Sequence, residues 1–212
     1  CDISCGPNLE VYNLAVASVT DDEAAAAHYG VVAPVPHCSF FRSKEDTVVG
    51  GRAMGDARLE YYELIFDWFE HTLRDEPTDF AQTHPKVRYY AMGANEWRSA
   101  ESWPPAGIEP RALYLAGDGA ANSLYGDGRL VGSPPSTAAA DAFTYDPMNP
   151  VPSLGGGVCC TAGAIEPGAF DQRSIEARHD VLVYTGEPLA EPLEVTGFID
   201  AVLFVSSDAR DT

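Results

Sequence analysis

Apolar residues recur at three- and four-residue steps through RLEYYELIFDWFEHTL (Arg58 to Leu73): Leu59, Tyr62, Ile65, Phe66, Phe69 and Leu73. That period belongs to an α-helix and predicts one over 58–73, with Asp56 as N-cap and the aromatic stripe (Tyr61, Tyr62, Phe66, Trp68, Phe69) packed on a sheet. NLEVYNLAVASV (Asn8 to Val19) carries the same spacing, with Pro7 near its start. Asp21 to His28 is acidic and then Ala-rich. YGVVAPV reads as a short buried strand, His37 follows it, and a polar, Gly-rich loop comes next. RDEPTDFAQTHP (Arg74 to Pro85) reads as a linker.

From Lys86 the period changes. KVRYYAM, RALYLAG, DAFTYD, DVLVYTG and AVLFVSS are short runs rich in Val, Tyr, Leu and Phe, separated by Gly, Pro, Asn and Asp. This spacing predicts an antiparallel β-sandwich, and LEVTGFIDAVLFVSS reads as a hairpin-like strand pair. The fold class is therefore α/β followed by all-β, with the change near residues 83 and 84. The chain opens on Cys1 and stops directly after a predicted strand, so both ends look cut.

Composition narrows the function classes. With 212 residues and 45% hydrophobic content, the chain can bury a core. Thirteen basic residues, only two of them lysines (Lys44 and Lys86), stand against 32 acidic ones, for a net charge of −19. Such a surface repels phosphate backbones and anionic lipid, so no nucleic-acid or membrane partner is expected. No apolar run approaches the roughly 20 residues that span a bilayer, and no basic segment leads into an apolar one as in a signal peptide.

The five cysteines (Cys1, Cys5, Cys38, Cys159, Cys160) include no C-x-x-C pair. The adjacent Cys159 and Cys160 are poorly placed to bond each other, and reduced structural thiols are the default reading. A metal site of Asp2, Cys5, His37 and Cys38 has the right donors, but its spacing matches no common pattern, so no metal and no cofactor is expected. GDGAAN and GDGRL read as turns between strands, with no helix following to bind phosphate.

VRYYAMGANEWRSAESWPP (Val87 to Pro105) resembles the entry strand of the C-terminal jelly-roll domain in the cocaine esterase / Xaa-Pro dipeptidyl-peptidase family. LYLAGDGAAN, YDPMNPVPSLGGG, DQRSIEARHDVLVYTGEPLAEPLEVTG and LFVSSDARDT are similar to further family stretches, in order. The resemblance implies the C-terminal part of an α/β-hydrolase catalytic domain at residues 1–83. It implies the N-terminal part of a jelly-roll β-sandwich at 84–212.

It also gives His37 a role. The α/β-hydrolase triad runs Ser, then Asp or Glu, then His. Ala33-Pro34-Val35-Pro36-His37 is similar to the family's Gly-Pro-Trp-x-His, although Val35 stands where Trp is usual. Asp2, in CDISCG, falls where the family places the acid. The implied catalytic pair is Asp2 and His37, acting on a small-molecule ester or peptide through an acyl-enzyme. No Gly-x-Ser-x-Gly elbow occurs in these residues, so the chain by itself is expected to be inactive. Two classes stay open: a serine hydrolase cleaving acyl esters, α-amino-acid esters or Xaa-Pro peptides, and a non-catalytic β-sandwich that binds or packs. A homo-oligomer stays open as well, and a structural role is the rival reading of His37.

Overall fold

The computed structural model describes residues 4–74, 77–137, 139–160 and 163–210. Helix α1 (Cys5–Ser18) and the short α2 (Asp22–Ala26) come first. Asp21 caps α2 by accepting from the Ala24 amide at 2.8 Å, which satisfies a donor that the first turn leaves open. Strand β1 (Gly30–Val32) follows.

The polar loop expected after His37 in fact contains a hairpin, β2 (Thr47–Val49) and β3 (Arg52–Gly55). Its signal is brief, because the buried positions are few (Thr47, Val49 and Met54) and one of them is polar. Val49, Met54 and Ala57 are almost fully buried and form the main core cluster with Tyr90; Trp97 packs against it. The Tyr90 hydroxyl donates to the Met54 carbonyl, and Trp97 Nε1 donates to the Arg58 carbonyl at 3.2 Å.

Helix α3 (Tyr61–Leu73) lies within the predicted span but starts later. Asp56 does not cap it. The Asp56 carboxylate accepts instead from the Arg58 amide at 3.2 Å and from Arg58 Nε at 2.8 Å, closing a turn before the helix. The expected aromatic packing is limited to Tyr61, which is buried, and Trp68, half-buried with Nε1 donating to the Ala27 carbonyl at 3.0 Å, while Tyr62, Phe66 and Phe69 are exposed. No described element covers that stripe. The predicted linker holds a short helix, α4 (Phe80–Thr83). Its reason for folding is Phe80, buried and stacked between His71 at 5.3 Å and His84 at 4.2 Å.

Strand β4 (Val87–Ala91) joins the two halves of the chain. It pairs in parallel with β1 (Gly30 with Val87) and antiparallel with β5 (Glu96–Ala100), in the order β1-β4-β5. Flanked on both sides, β4 buries Val87, Tyr89 and Tyr90. Trp103 meets Tyr89 edge-on at 5.7 Å. Strands β6 (Tyr114–Ala116) and β7 (Arg129–Val131) form a separate antiparallel pair. Between them the two Gly-Asp-Gly turns are tied together, as Asp127 accepts from the amides of Asp118 at 2.7 Å and Ala120 at 3.2 Å.

The described β-structure is thus a set of small sheets, and four of the predicted strands are not formed. DAFTYD is irregular, although Asp141 within it accepts from the Ala121 amide at 2.8 Å. DVLVYTG runs beside 121–130 and makes only single bridges, Asn122 with Leu182 and Arg129 with Thr185. LEVTGFIDAVLFVSS is irregular, and Phe204 is fully exposed. Strand-prone residues become a strand only when another backbone completes a regular ladder: segment 121–130 meets DVLVYTG in isolated hydrogen bonds and bridges, and no described segment pairs with the other stretches.

Candidate functional site

The site grows from the end of β1. Two residues past Val32 the buried Pro34 begins a Pro-Val-Pro turn, which cannot donate along a ladder and so ends the strand. The turn delivers His37, half-buried, beyond the C-terminal end of a strand in a parallel pair. In open α/β sheets that edge is where ligands and reactive groups gather, because the connecting loops converge there. Cys38 follows in left-handed backbone (φ 55°) and Ser39 Oγ donates to the His37 carbonyl at 3.2 Å, so the chain turns sharply away. A 3₁₀ turn, Phe40–Arg42, then anchors the loop: the Phe40 ring lies 5.4 Å from Tyr61 and 6.1 Å from Tyr62, at the start of α3.

The other wall comes from far along the chain. Gly156 and Gly168 exchange backbone hydrogen bonds at 2.7 and 3.0 Å, closing the base of a loop that carries Cys159 and Cys160. The next residue, Ala169, bridges Gly50 and accepts from the Gly51 amide at 2.8 Å, so the loop is pinned to the turn of the β2–β3 hairpin. The pinning needs bare backbone. A Cβ on Gly168 would fall 2.5 Å from the Gly50 nitrogen, and a Cβ on Gly50 would fall 2.8 Å from Ala169 backbone atoms.

This arrangement brings the side chains of His37, Cys159 and Cys160 together, with their nitrogen and sulfur donors all within 4.8 Å of one another. Sequence reasoning read Cys159 and Cys160 as structural thiols and grouped His37 with Asp2, Cys5 and Cys38. Neither Cys5 nor Cys38 belongs to the cluster; Cys5 lies in α1 and Cys38 is exposed. Asp2 lies outside the described residues. The one available sequence signal was an adjacent cysteine pair between glycine-rich stretches, and spacing could not show what it would face.

Comparisons with known proteins bear on the same region. The family model of the X-Pro dipeptidyl-peptidase C-terminal non-catalytic domain matches residues 78–212. Cocaine esterase from Rhodococcus sp. (strain MB1 Bresler) is 47% identical over 145 residues, covering 68% of this chain and 25% of that protein. The crystal structure of an aminopeptidase from the marine sediment archaeon Thaumarchaeota archaeon superimposes with a TM-score of 0.57 at 29% identity, over 80% of this chain and 26% of that one. The chain spans about a quarter of the length of the curated relatives it matches.

Proposed function

This chain belongs to the family of the X-Pro dipeptidyl-peptidase C-terminal non-catalytic domain, within the cocaine esterase / Xaa-Pro dipeptidyl-peptidase hydrolases, and from that premise we propose that the protein containing it is a serine hydrolase in which His37 is the general base. One observation carries the reading. A half-buried histidine stands past the C-terminal end of β1, on a loop anchored by Phe40 to α3. In an α/β-hydrolase the triad histidine occupies a loop at that edge of the sheet.

The mechanism assigns each group a task. The His37 ring takes the proton from a serine hydroxyl as that oxygen attacks the carbonyl, and returns it to the leaving alcohol or amine. Asp2 holds the ring in the tautomer that accepts at the serine-facing nitrogen and stabilises the imidazolium. Water then attacks the acyl-enzyme with the same histidine as base. The serine and the oxyanion donors belong to residues outside this sequence, since no Gly-x-Ser-x-Gly occurs in it. In this reading residues 1–83 close an α/β-hydrolase domain and the rest opens a jelly roll, the non-catalytic packing module. Acyl esters are the preferred substrates, the cleavage of an ester being less demanding than that of a peptide bond.

The test is made in the full-length protein. His37→Ala and Asp2→Asn, each alone, are expected to lower turnover of p-nitrophenyl esters roughly a thousandfold or more with little change in melting temperature. If His37→Ala keeps most of the activity, His37 is structural and the assignment falls.

A further inference from the structure

We infer that His37, Cys159 and Cys160 form a site for a zinc-class divalent cation, and that the ion, once bound, takes one ring nitrogen of His37 away from hydrolysis. The inhibitory consequence rests on His37 being the general base; the binding does not.

The donor set is one imidazole and two thiols, the mixed nitrogen–sulfur combination that suits Zn²⁺. A tetrahedral ion with bonds of about 2.1 Å to nitrogen and about 2.3 Å to sulfur holds its ligands roughly 3.5–3.8 Å apart. Donors already within 4.8 Å need only small side-chain rotations, about 1 Å at the tips, to close on such an ion. Two backbone features keep them in reach. Successive side chains of an extended chain point to opposite faces. Cys160 departs from that with left-handed backbone (φ 59°), which lets both sulfurs face one ring. The loop holding the thiols is fastened at its base by the Gly156–Gly168 bridge and by the Gly51 amide to Ala169, so it meets the His37 loop at a set distance.

Binding converts both thiols to thiolates and releases their protons to solvent, with no change in oxidation state. Three protein ligands leave the fourth position open to water, as in zinc sites that are not purely structural. A ring that gives either nitrogen to the ion loses the acceptor for the serine proton or the N–H that the acid orients. The cluster therefore makes hydrolysis sensitive to zinc, an effect reversible by chelation.

The experiment uses the full-length protein, reduced with a non-thiol reductant and freed of metal. Zn²⁺ is titrated against a chromophoric chelator, and Co²⁺ is titrated with absorption as the readout. The expected result is one equivalent of metal per chain and a thiolate-to-cobalt charge-transfer band in the near ultraviolet. The Cys159→Ser/Cys160→Ser double variant should lose the band and bind Zn²⁺ at least about thirtyfold more weakly, while keeping the wild-type circular dichroism and melting temperature. Cys159→Ser alone, the second variant, should weaken binding less. No charge-transfer band in the wild type, or unchanged zinc affinity in a folded double variant, overturns the site. Ester turnover is followed in parallel. Zinc inhibition that a chelator reverses and the double variant lacks supports the consequence for His37. Tight binding without inhibition overturns that consequence and leaves the metal site standing, whereas retained activity of His37→Ala overturns only the assignment of the base.

Discussion

Asp141 and Tyr184 show what single residues contribute where regular pairing is sparse. The Tyr184 hydroxyl donates to Asp141 Oδ2 at 2.5 Å, and Asp141 Oδ1 accepts from the Ala121 amide at 2.8 Å. One carboxylate thus ties the irregular segments 139–146 and 180–186 to the turn after β6. Partial burial and then the neighbouring carboxylate push the Tyr184 pKa from 10.0 up to about 12. A phenol whose folded pKa is raised lends stability that is complete below its unfolded value and disappears as pH climbs through the folded one. The melting temperature should therefore fall between pH 10.0 and about 12, and fall less steeply in Tyr184→Phe. At pH 7 Tyr184→Phe should cost about 1 kcal/mol, the usual worth of one hydrogen bond. Parallel melting curves against pH would show it, and an identical slope in both proteins would refute the coupling.

The elements that matter most for the site are two that pair weakly by themselves: the β2–β3 hairpin and the loop closed by Gly156 and Gly168. The hairpin is held by Val49 and Met54 in the core, and its turn at Gly50 receives Ala169. Gly168 has φ 129° and passes 2.5–2.9 Å from Gly50 and Val49 backbone atoms, measured from the position its Cβ would take. Gly168→Ala should therefore cost about 1–3 kcal/mol, through both strain and the lost bridge. Urea unfolding measures that loss, and an unchanged midpoint would show that the loop is not fastened there. Because the same bridge positions Cys159 and Cys160, this variant should also weaken zinc binding. Trimming the core one element away should act differently: Met54→Ala should cost about 2–5 kcal/mol.

For the whole molecule the telling feature is uncovered apolar surface. The outer stripe of α3 (Tyr62, Phe66, Phe69) and the segment Val202 to Val205 are open to solvent, the latter four being 60–100% exposed. Exposed patches of this kind mark surfaces that other protein covers. Purified as these 212 residues alone, the chain should bind 1-anilinonaphthalene-8-sulfonate strongly and self-associate by light scattering. A monomer without dye binding would show that the patches close up in solution. The same preparation should not turn over p-nitrophenyl esters or Xaa-Pro anilides, lacking a serine elbow. Turnover abolished by a serine-directed inhibitor would prove that expectation wrong.

The sequence by itself determined what depends on nearest neighbours along the chain. The three- and four-residue period made α3 legible, and Pro34 and Pro36 announced the end of β1 and the place of His37 just past it. The ordered stretches after Val87 carried the family. Tertiary structure decided everything that depends on residues distant in sequence. Met54 and Val49 make a hairpin in a polar stretch because Tyr90 and Trp97 are there to bury them. Phe80 turns a linker into a helix because two histidines flank it. AVLFVSS, for all its strand-prone residues, stays irregular because no described backbone lies beside it. Cys159 and Cys160 reach His37 only because glycine backbones at 50 and 168 approach too closely for any side chain. Local propensity is written in short windows, whereas strand pairing, burial and a shared site are set by which distant segments meet.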